Sequence, residues 1–147
     1  MTEIHHPDRA PHAPFEQQPG ILVVPLRTPT LPPATHTNCV VLGRDELIVV
    51  DPASPYSEEQ DRLLAVLRDL GEPVRAIWLT HHHADHVGGV GALSAAMDLP
   101  VFAHQATAER LAGMVQVDEF LYSGDVEDLG GFLVEVIHSP GHARGHL

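Results

Sequence analysis

Apolar positions come in short blocks along this chain, and the spacing within each block separates strands from helices. Ile21 to Leu26 is an apolar run of strand length. Thr37 to Leu42 and Glu46 to Val50 follow, with Gly43-Arg44-Asp45 as the turn of a hairpin between them. Leu47-Ile48-Val49-Val50 has no polar position, which predicts a strand buried on both faces. From Ser57 the period changes. Leu63, Val66, Leu67 and Leu70 recur at helical spacing, Glu58 and Glu59 suit the positive end of a helix dipole, Ser57 is the expected N-cap, and Gly71 stops the pattern. Val74 to Leu79 returns to a strand, so the order is strand, helix, strand. A crossover of that length suits a layered αβ arrangement.

Beyond residue 89 the blocks shorten. Val90, Leu93, Ala96 and Met97 predict a helix that ends at Asp98 and Pro100. Val101 to Ala103 reads as a strand, Ala106 to Ala112 as a helix, and Phe120 to Tyr122 and Phe132 to Ile137 as strands. Ser123-Gly124-Asp125 and Gly130-Gly131 supply the turns between the last two. Residues 1–20 carry four prolines and polar side chains and read as a flexible tail, leaving one domain over 21–147. In that tail His5 and His6 read as solvated, because an adjacent pair on a flexible segment offers no fixed geometry.

Composition narrows the class. The 147 residues are 44% apolar, an ordinary globular value with room for a real core. The net charge is −12 with arginine as the only basic side chain apart from histidine, which argues against broad phosphate binding. It leaves room for a nucleic-acid substrate if a metal supplies local positive charge. The single Cys39 forms no intrachain disulfide, and its apolar neighbours make it a buried thiol rather than a reactive one. The chain shows neither a signal-peptide core nor an apolar run of bilayer length, so no membrane association and a cytoplasmic location are expected.

The one strong anomaly is histidine, of which there are 12. Four of them, with one aspartate, fall within His81-His82-His83-Ala84-Asp85-His86, directly after the Val74 to Leu79 strand. Such a cluster at the end of a buried strand is costly unless something binds it, and neutral imidazole and carboxylate are good ligands for zinc and its neighbours. On leaving the strand His81 and His83 can point one way with His82 turned aside, while Asp85 and His86 face an adjacent point. His142 lies in a second histidine-rich loop, His138 to His146, that also follows a strand. If both strands end on one sheet edge the loops meet, and three imidazoles plus water complete a tetrahedral site. Asp51, at the tip of the Leu47 to Val50 strand, either caps its turn or hydrogen-bonds a ligating histidine.

Thr80 to Gly89 resembles the H-x-H-x-D-H motif of the metallo-β-lactamase superfamily, and His138 to His146 resembles its second metal loop. Leu47 to Asp51 is similar to that family's apolar strand ending in aspartate. The resemblance covers about residues 21–147. It implies an α/β (α+β) fold, the αββα sandwich, with a binuclear site at one edge. Position by position, it implies that His81, His83 and His142 bind one metal and that Asp85 and His86 bind a second, Asp85 also orienting the attacking water. His146 would be a structural histidine and His138 would orient its loop, while His104 is read as structural and His36 has no role. Family members supply a bridging aspartate and a final histidine from later strands. Neither follows Leu147, so an N-terminal piece lacking the C-terminal half, inactive alone and with an exposed apolar sheet face, is expected.

The resemblance implies a hydrolase that directs a metal-bound hydroxide at an ester, thioester or phosphodiester, with two zinc ions and with iron or manganese as alternatives. His81 to Gly89 looks most like thioester hydrolases of the glyoxalase II type, so a small-molecule substrate is expected, with RNA as the alternative offered by related endoribonucleases. Asp85 argues against the sulfur-ligated site of the lactamases proper. The competing activity on this fold is an iron-dependent, persulfide dioxygenase-like oxidoreductase. Those enzymes tend to place cysteine after the glycine of the second loop, where this chain has His146 after Gly145.

Overall fold

The computed structural model describes residues 12–147. The chain runs β1 (Phe15–Gln18), β2 (Ile21–Arg27), β3 (His36–Gly43), β4 (Leu47–Val50), α1 (Ser57–Leu70), β5 (Val74–Trp78), α2 (Ala84–Val87), α3 (Val90–Met97), β6 (Val101–Ala103), α4 (Gln105–Leu111), β7 (Glu119–Phe120), β8 (Val126–Asp128) and β9 (Leu133–Glu135). The first seven strands form one sheet in sequence order, and β8 and β9 form a second, two-stranded sheet. Pairing is antiparallel from β1 to β4 and parallel from β4 to β7. The parallel half follows from the crossovers: α1 carries the chain from β4 to β5, and α3 from β5 to β6. Its consequence is that β4, β5 and β6 all end on the same edge, where open αβ sheets bind their ligands.

The expected double burial of β4 holds. Leu47 and Val49 face a core shared with Leu63, Leu67, Ile77, Leu79, Val90 and Leu93, under the helices. Ile48 faces the opposite way, against Ala76, Trp78, Leu121, Leu129 and Val136. Leu129 and Val136 come from the β8–β9 region, so a second β-layer covers the centre of the large sheet. This is the α/β layering that the sequence resemblance implied. Exposed apolar side chains among the described residues include Phe120 and Tyr122 at and after β7, and Val126, Leu133 and Ile137 on and after β8 and β9. Each fully buried aliphatic side chain contributes roughly 1.5–3 kcal/mol, so these two clusters hold the sheet that carries the loops.

Three local readings change. Residues 15–18, placed in the tail for their polarity, form β1, because Phe15 pairs with Val23 across the edge and a polar edge strand keeps its outer side wet. His5 and His6 lie outside the described residues. Helix α1 begins where expected, but Tyr56 occupies the N-cap position and no side chain caps it. Ser54 lies upstream instead, its Oγ accepting the Tyr56 N–H at 3.2 Å. Gly71 closes α1 in the left-handed region (φ 80°), as its lack of a Cβ allows. Leu64 packs on the core from α1 while Leu70 is exposed. Finally, Val126–Asp128, which lies between the two expected turns and was assigned no element, forms β8, with Glu127 opposite Val134. Three residues give too little alternation to register in the sequence.

Candidate metal centre

The first histidine-rich segment leaves β5 at the centre of the sheet and is tied to the loop that leaves β4. Asp51 sits in the left-handed region (φ 52°), a conformation aspartate tolerates better than most residues. Its Oδ1 accepts the Thr80 N–H at 2.8 Å, and its Oδ2 accepts the Thr80 hydroxyl at 2.5 Å. Two glycines fasten the other end. Gly88 N–H donates to Ala53 O at 3.1 Å and Gly89 N–H to Pro52 O at 2.8 Å. A Cβ at either position would lie 2.7 Å from that carbonyl oxygen, so only glycine lets the two backbones meet. Between these ties, the residues expected to be loop include the single turn α2, which carries Asp85 and His86.

His81, buried at 2% exposure, has its Nδ1 2.8 Å from Thr80 Oγ1. Its Nε2 is one of two buried side-chain polar atoms without a hydrogen-bond partner among the described residues, the other being Trp78 Nε1. Burial, and then the neighbouring imidazoles of His86, His83, His146 and His142, push its pKa down to about 3. It is therefore a neutral imidazole with its free nitrogen aimed into a cluster of other imidazoles. His83 Nδ1 lies 3.0 Å from His142 Nε2. One ligand atom from each of His81, His83 and His142 falls within 4.8 Å of the others. Nitrogens bound to one tetrahedral zinc at about 2.0–2.1 Å sit roughly 3.3 Å apart, so the three need little movement to share an ion. An unpartnered, buried, neutral nitrogen is costly by itself and favourable as a ligand.

His86 is held from behind. Its Nδ1 lies 2.8 Å from Asp51 Oδ2, which leaves Nε2 facing forward, 4.0 Å from Asp85 Oδ2. Burial opposes protonation of His86, but the hydrogen bond and charge of Asp51, with Asp85, outweigh it and raise its pKa. Asp85 is pushed up by partial burial and pulled down further by the Thr30 hydroxyl and His86, ending below the ordinary carboxylate range. Of the two roles weighed for Asp51, the anchoring of a histidine is seen. Asp51, His81 and His86 also offer donor atoms within 4.8 Å of one another. Asp51 Oδ2 already accepts from Thr80 and faces His86, so anchoring is the better description than ligation.

The second loop reaches the site differently from the route the sequence suggested. Its strand, β9, belongs to the small sheet rather than to the edge shared by β4 and β5. It arrives by docking: Leu147 N–H donates to Thr80 O at 3.0 Å, and the Thr107 hydroxyl on α4 donates to Gly145 O at 3.2 Å. A Cβ on Gly145 would stand 2.4 Å from Thr107 Oγ1. His138 donates from Nε2 to Arg144 O at 2.7 Å and bridges its own loop. His146 Nδ1 lies 3.0 Å from Ser139 Oγ, again within the loop. His104 caps α4, its Nδ1 accepting the Ala106 N–H at 3.1 Å, and stacks on His138 with ring centroids 4.3 Å apart. His82 packs beside His83 and contributes no atom to either donor group. His36 stacks on His12 away from the centre, with centroids 3.6 Å apart. The orienting roles of Thr80, Thr107 and Thr30 are not legible in the sequence, because a hydroxyl that orients another side chain carries no spacing pattern.

The profile of the metallo-beta-lactamase superfamily matches residues 32–147. Among curated proteins the chain is similar to the hydroxyacylglutathione hydrolase of Bdellovibrio bacteriovorus, 44% identical over 121 residues, covering 80% of this chain and 45% of that protein. The hydroxyacylglutathione hydrolase of Thermosynechococcus vestitus is 39% identical over 99 residues, covering 67% of the chain and 36% of the relative. The chain thus spans less than half the length of the curated relatives it matches. Among solved structures it resembles a Cronobacter sakazakii metallo-β-lactamase with a HARLDQ motif (TM-score 0.71, 25% identity, covering 90% of this chain and 57% of that one). It also resembles a metallo-β-lactamase family protein of Thermus thermophilus (TM-score 0.68, 26% identity, covering 88% and 55%).

Proposed function

The chain belongs to the metallo-β-lactamase superfamily, and on that premise we propose that it is the metal-binding portion of a hydrolase acting on a small thioester of the hydroxyacylglutathione kind. The observation that carries this reading is the convergence of His81, His83 and His142, with the buried Nε2 of His81 lacking any partner among the described residues. The names of the curated relatives supply the substrate class. His81, His83 and His142 would hold one divalent ion, and Asp85 and His86 a second, zinc being the first expectation for both. When bound, such ions supply a nucleophilic water at neutral pH and polarise the carbonyl under attack.

The residues divide the remaining work. Thr80 fixes the His81 ring, and burial keeps that imidazole neutral, so it needs no deprotonation before it binds. Asp51 fixes His86 with Nε2 forward. Asp85, on the same turn, would orient the attacking water. No helix among the described residues is long and apolar enough to cross a membrane, and a cytoplasmic setting goes with the same reading. The test is metal content and turnover together. His83→Ala should lower first-ion affinity by more than the roughly 10–100-fold that loss of an outer partner costs, as read by competition with a chromophoric chelator. In the full-length protein it should abolish hydrolysis of a hydroxyacylglutathione thioester. Undiminished metal uptake by the variant would sink the assignment, and iron rather than zinc in aerobically purified protein would redirect it to redox chemistry.

A further inference from the structure

The loop between β2 and β3 reaches the metal centre at one point. Thr30 Oγ1 donates to Asp85 Oδ2 at 2.9 Å, joining residues 55 positions apart. The base of this loop is fixed. The Thr28 N–H donates to Thr35 O at 3.1 Å, the Thr28 and Thr37 hydroxyls lie 2.8 Å apart in the interior, and the Ser54 hydroxyl donates to Arg27 O at 2.6 Å. Thr30 therefore projects from a braced segment. Asp85 does not: it sits on the four-residue turn α2, and its side chain is part-exposed. The oxygen that Thr30 holds, Oδ2, is the one that faces His86 Nε2 at 4.0 Å.

We propose that Thr30 is a positioning residue for the second metal site, holding the Asp85 carboxylate in the orientation that directs Oδ2 toward His86 Nε2. The inference rests on the reading of Asp85 and His86 as ligands given above. It completes a symmetry in the site. Each of the two donors is oriented by a side chain from the end of a neighbouring strand, His86 by Asp51 after β4 and Asp85 by Thr30 after β2. Without the hydroxyl, the carboxylate loses this restraint, and binding an ion must then supply it, a cost in entropy that the hydrogen bond removes in advance.

The test is a metal titration of the metal-free full-length protein followed by calorimetry and by the visible spectrum of cobalt(II), comparing wild type with Thr30→Val and Thr30→Ser. Valine keeps the shape of threonine and removes the donor, whereas serine keeps the donor. The expected result is a first equivalent bound by all three with equal affinity, which also reports intact folding. The second equivalent should bind about 10–100-fold more weakly in Thr30→Val, with most of the affinity restored in Thr30→Ser. A second equivalent bound equally by wild type and Thr30→Val would overturn the role of Thr30 alone. A full-length wild-type protein that takes up one equivalent and no more would overturn the two-metal reading, and the role of Thr30 with it.

Discussion

The two histidine-rich loops bring ligands to the same place by unlike means. The first leaves a central parallel strand and is tied at both ends by backbone and carboxylate contacts, Thr80 to Asp51 and Gly88–Gly89 to Pro52 and Ala53. Its histidine nearest the core is 2% exposed. The second leaves the two-stranded sheet, and its donor His142 is exposed. What holds it is the Thr107 contact from α4, the stack of His138 on the helix-capping His104, a bond from the His138 N–H to the Ser123 hydroxyl, one backbone bond to Thr80 and bonds within itself. Two of the three converging histidines, His81 and His83, are thus fixed by the fold, while the third, His142, is brought in by a docked segment. Damage to the first loop should therefore appear as lost stability, and damage to the second as lost metal.

The sharpest way to break that contrast is at Asp51. It accepts from two groups of Thr80, contacts His86, and is 3% exposed. Asp51→Ala removes every one of those contacts and leaves alanine at φ 52°. Charge-assisted hydrogen bonds are worth roughly 1.5–3 kcal/mol each and a left-handed alanine costs about 1–2 kcal/mol, so a loss of at least about 3 kcal/mol is expected in urea unfolding of the metal-free chain. Asp51→Asn, which tolerates the backbone geometry and keeps an acceptor for the Thr80 N–H, should lose less. A stability loss under about 1 kcal/mol in Asp51→Ala would mean that the first loop is no better anchored than the second.

A matched pair of glycine substitutions sharpens the comparison at smaller cost. Gly89→Ala pushes a methyl against the Pro52 and Ser54 carbonyl oxygens, both backbone atoms that cannot step aside. Overpacking of that kind costs typically about 1–3 kcal/mol, and thermal unfolding should show it with or without metal. Gly145→Ala meets Thr107 instead, and the relief open to it is undocking of the second loop. The expected outcome is an unfolding midpoint close to wild type in the metal-free chain and first-ion affinity lowered as far as in His142→Ala. A Gly145→Ala variant with native metal affinity would show that the second loop holds His142 in place without its contact to α4.

The same difference explains what the sequence disclosed. The ties of the first loop are made by a strand-end aspartate, a motif of dense histidines and two adjacent glycines, all of which leave marks at fixed spacing. The strands beneath it, Leu47–Val50 and Val74–Trp78, are apolar runs long enough to read. Residues 15–18 were read as tail and 126–128 were given no element, because an edge strand of one aromatic and three polar residues and a strand of three offer no alternation to detect. The route of the second loop was misread for a related reason. Its strand could be seen, but the sheet it joins is decided by pairing with Val126–Asp128, which could not. The hydroxyls of Thr30, Thr80 and Thr107 act across 55, 29 and 38 positions, and no local pattern encodes a contact at that range.

A further expected effect lies in the pH dependence of the metal-free chain, and it separates burial from mere crowding. A histidine in the unfolded chain takes up a proton near pH 6.5, whereas folded His81 resists until about 3. Between those values the unfolded state binds more protons, so the contribution of His81 is present above pH 6.5 and is lost as the pH falls. His86 works the other way. Its pKa is raised by Asp51, so its contribution is present below the unfolded value and is lost as the pH rises through the folded one. The unfolding midpoint in urea should therefore fall as the pH drops from 6.5 to 4, and His81→Gln should flatten that slope. His86→Gln should change the profile on the alkaline side of 6.5 and leave the acidic slope in place. An acidic slope that survived His81→Gln unchanged would show that the buried position of this imidazole does not set the first loop apart.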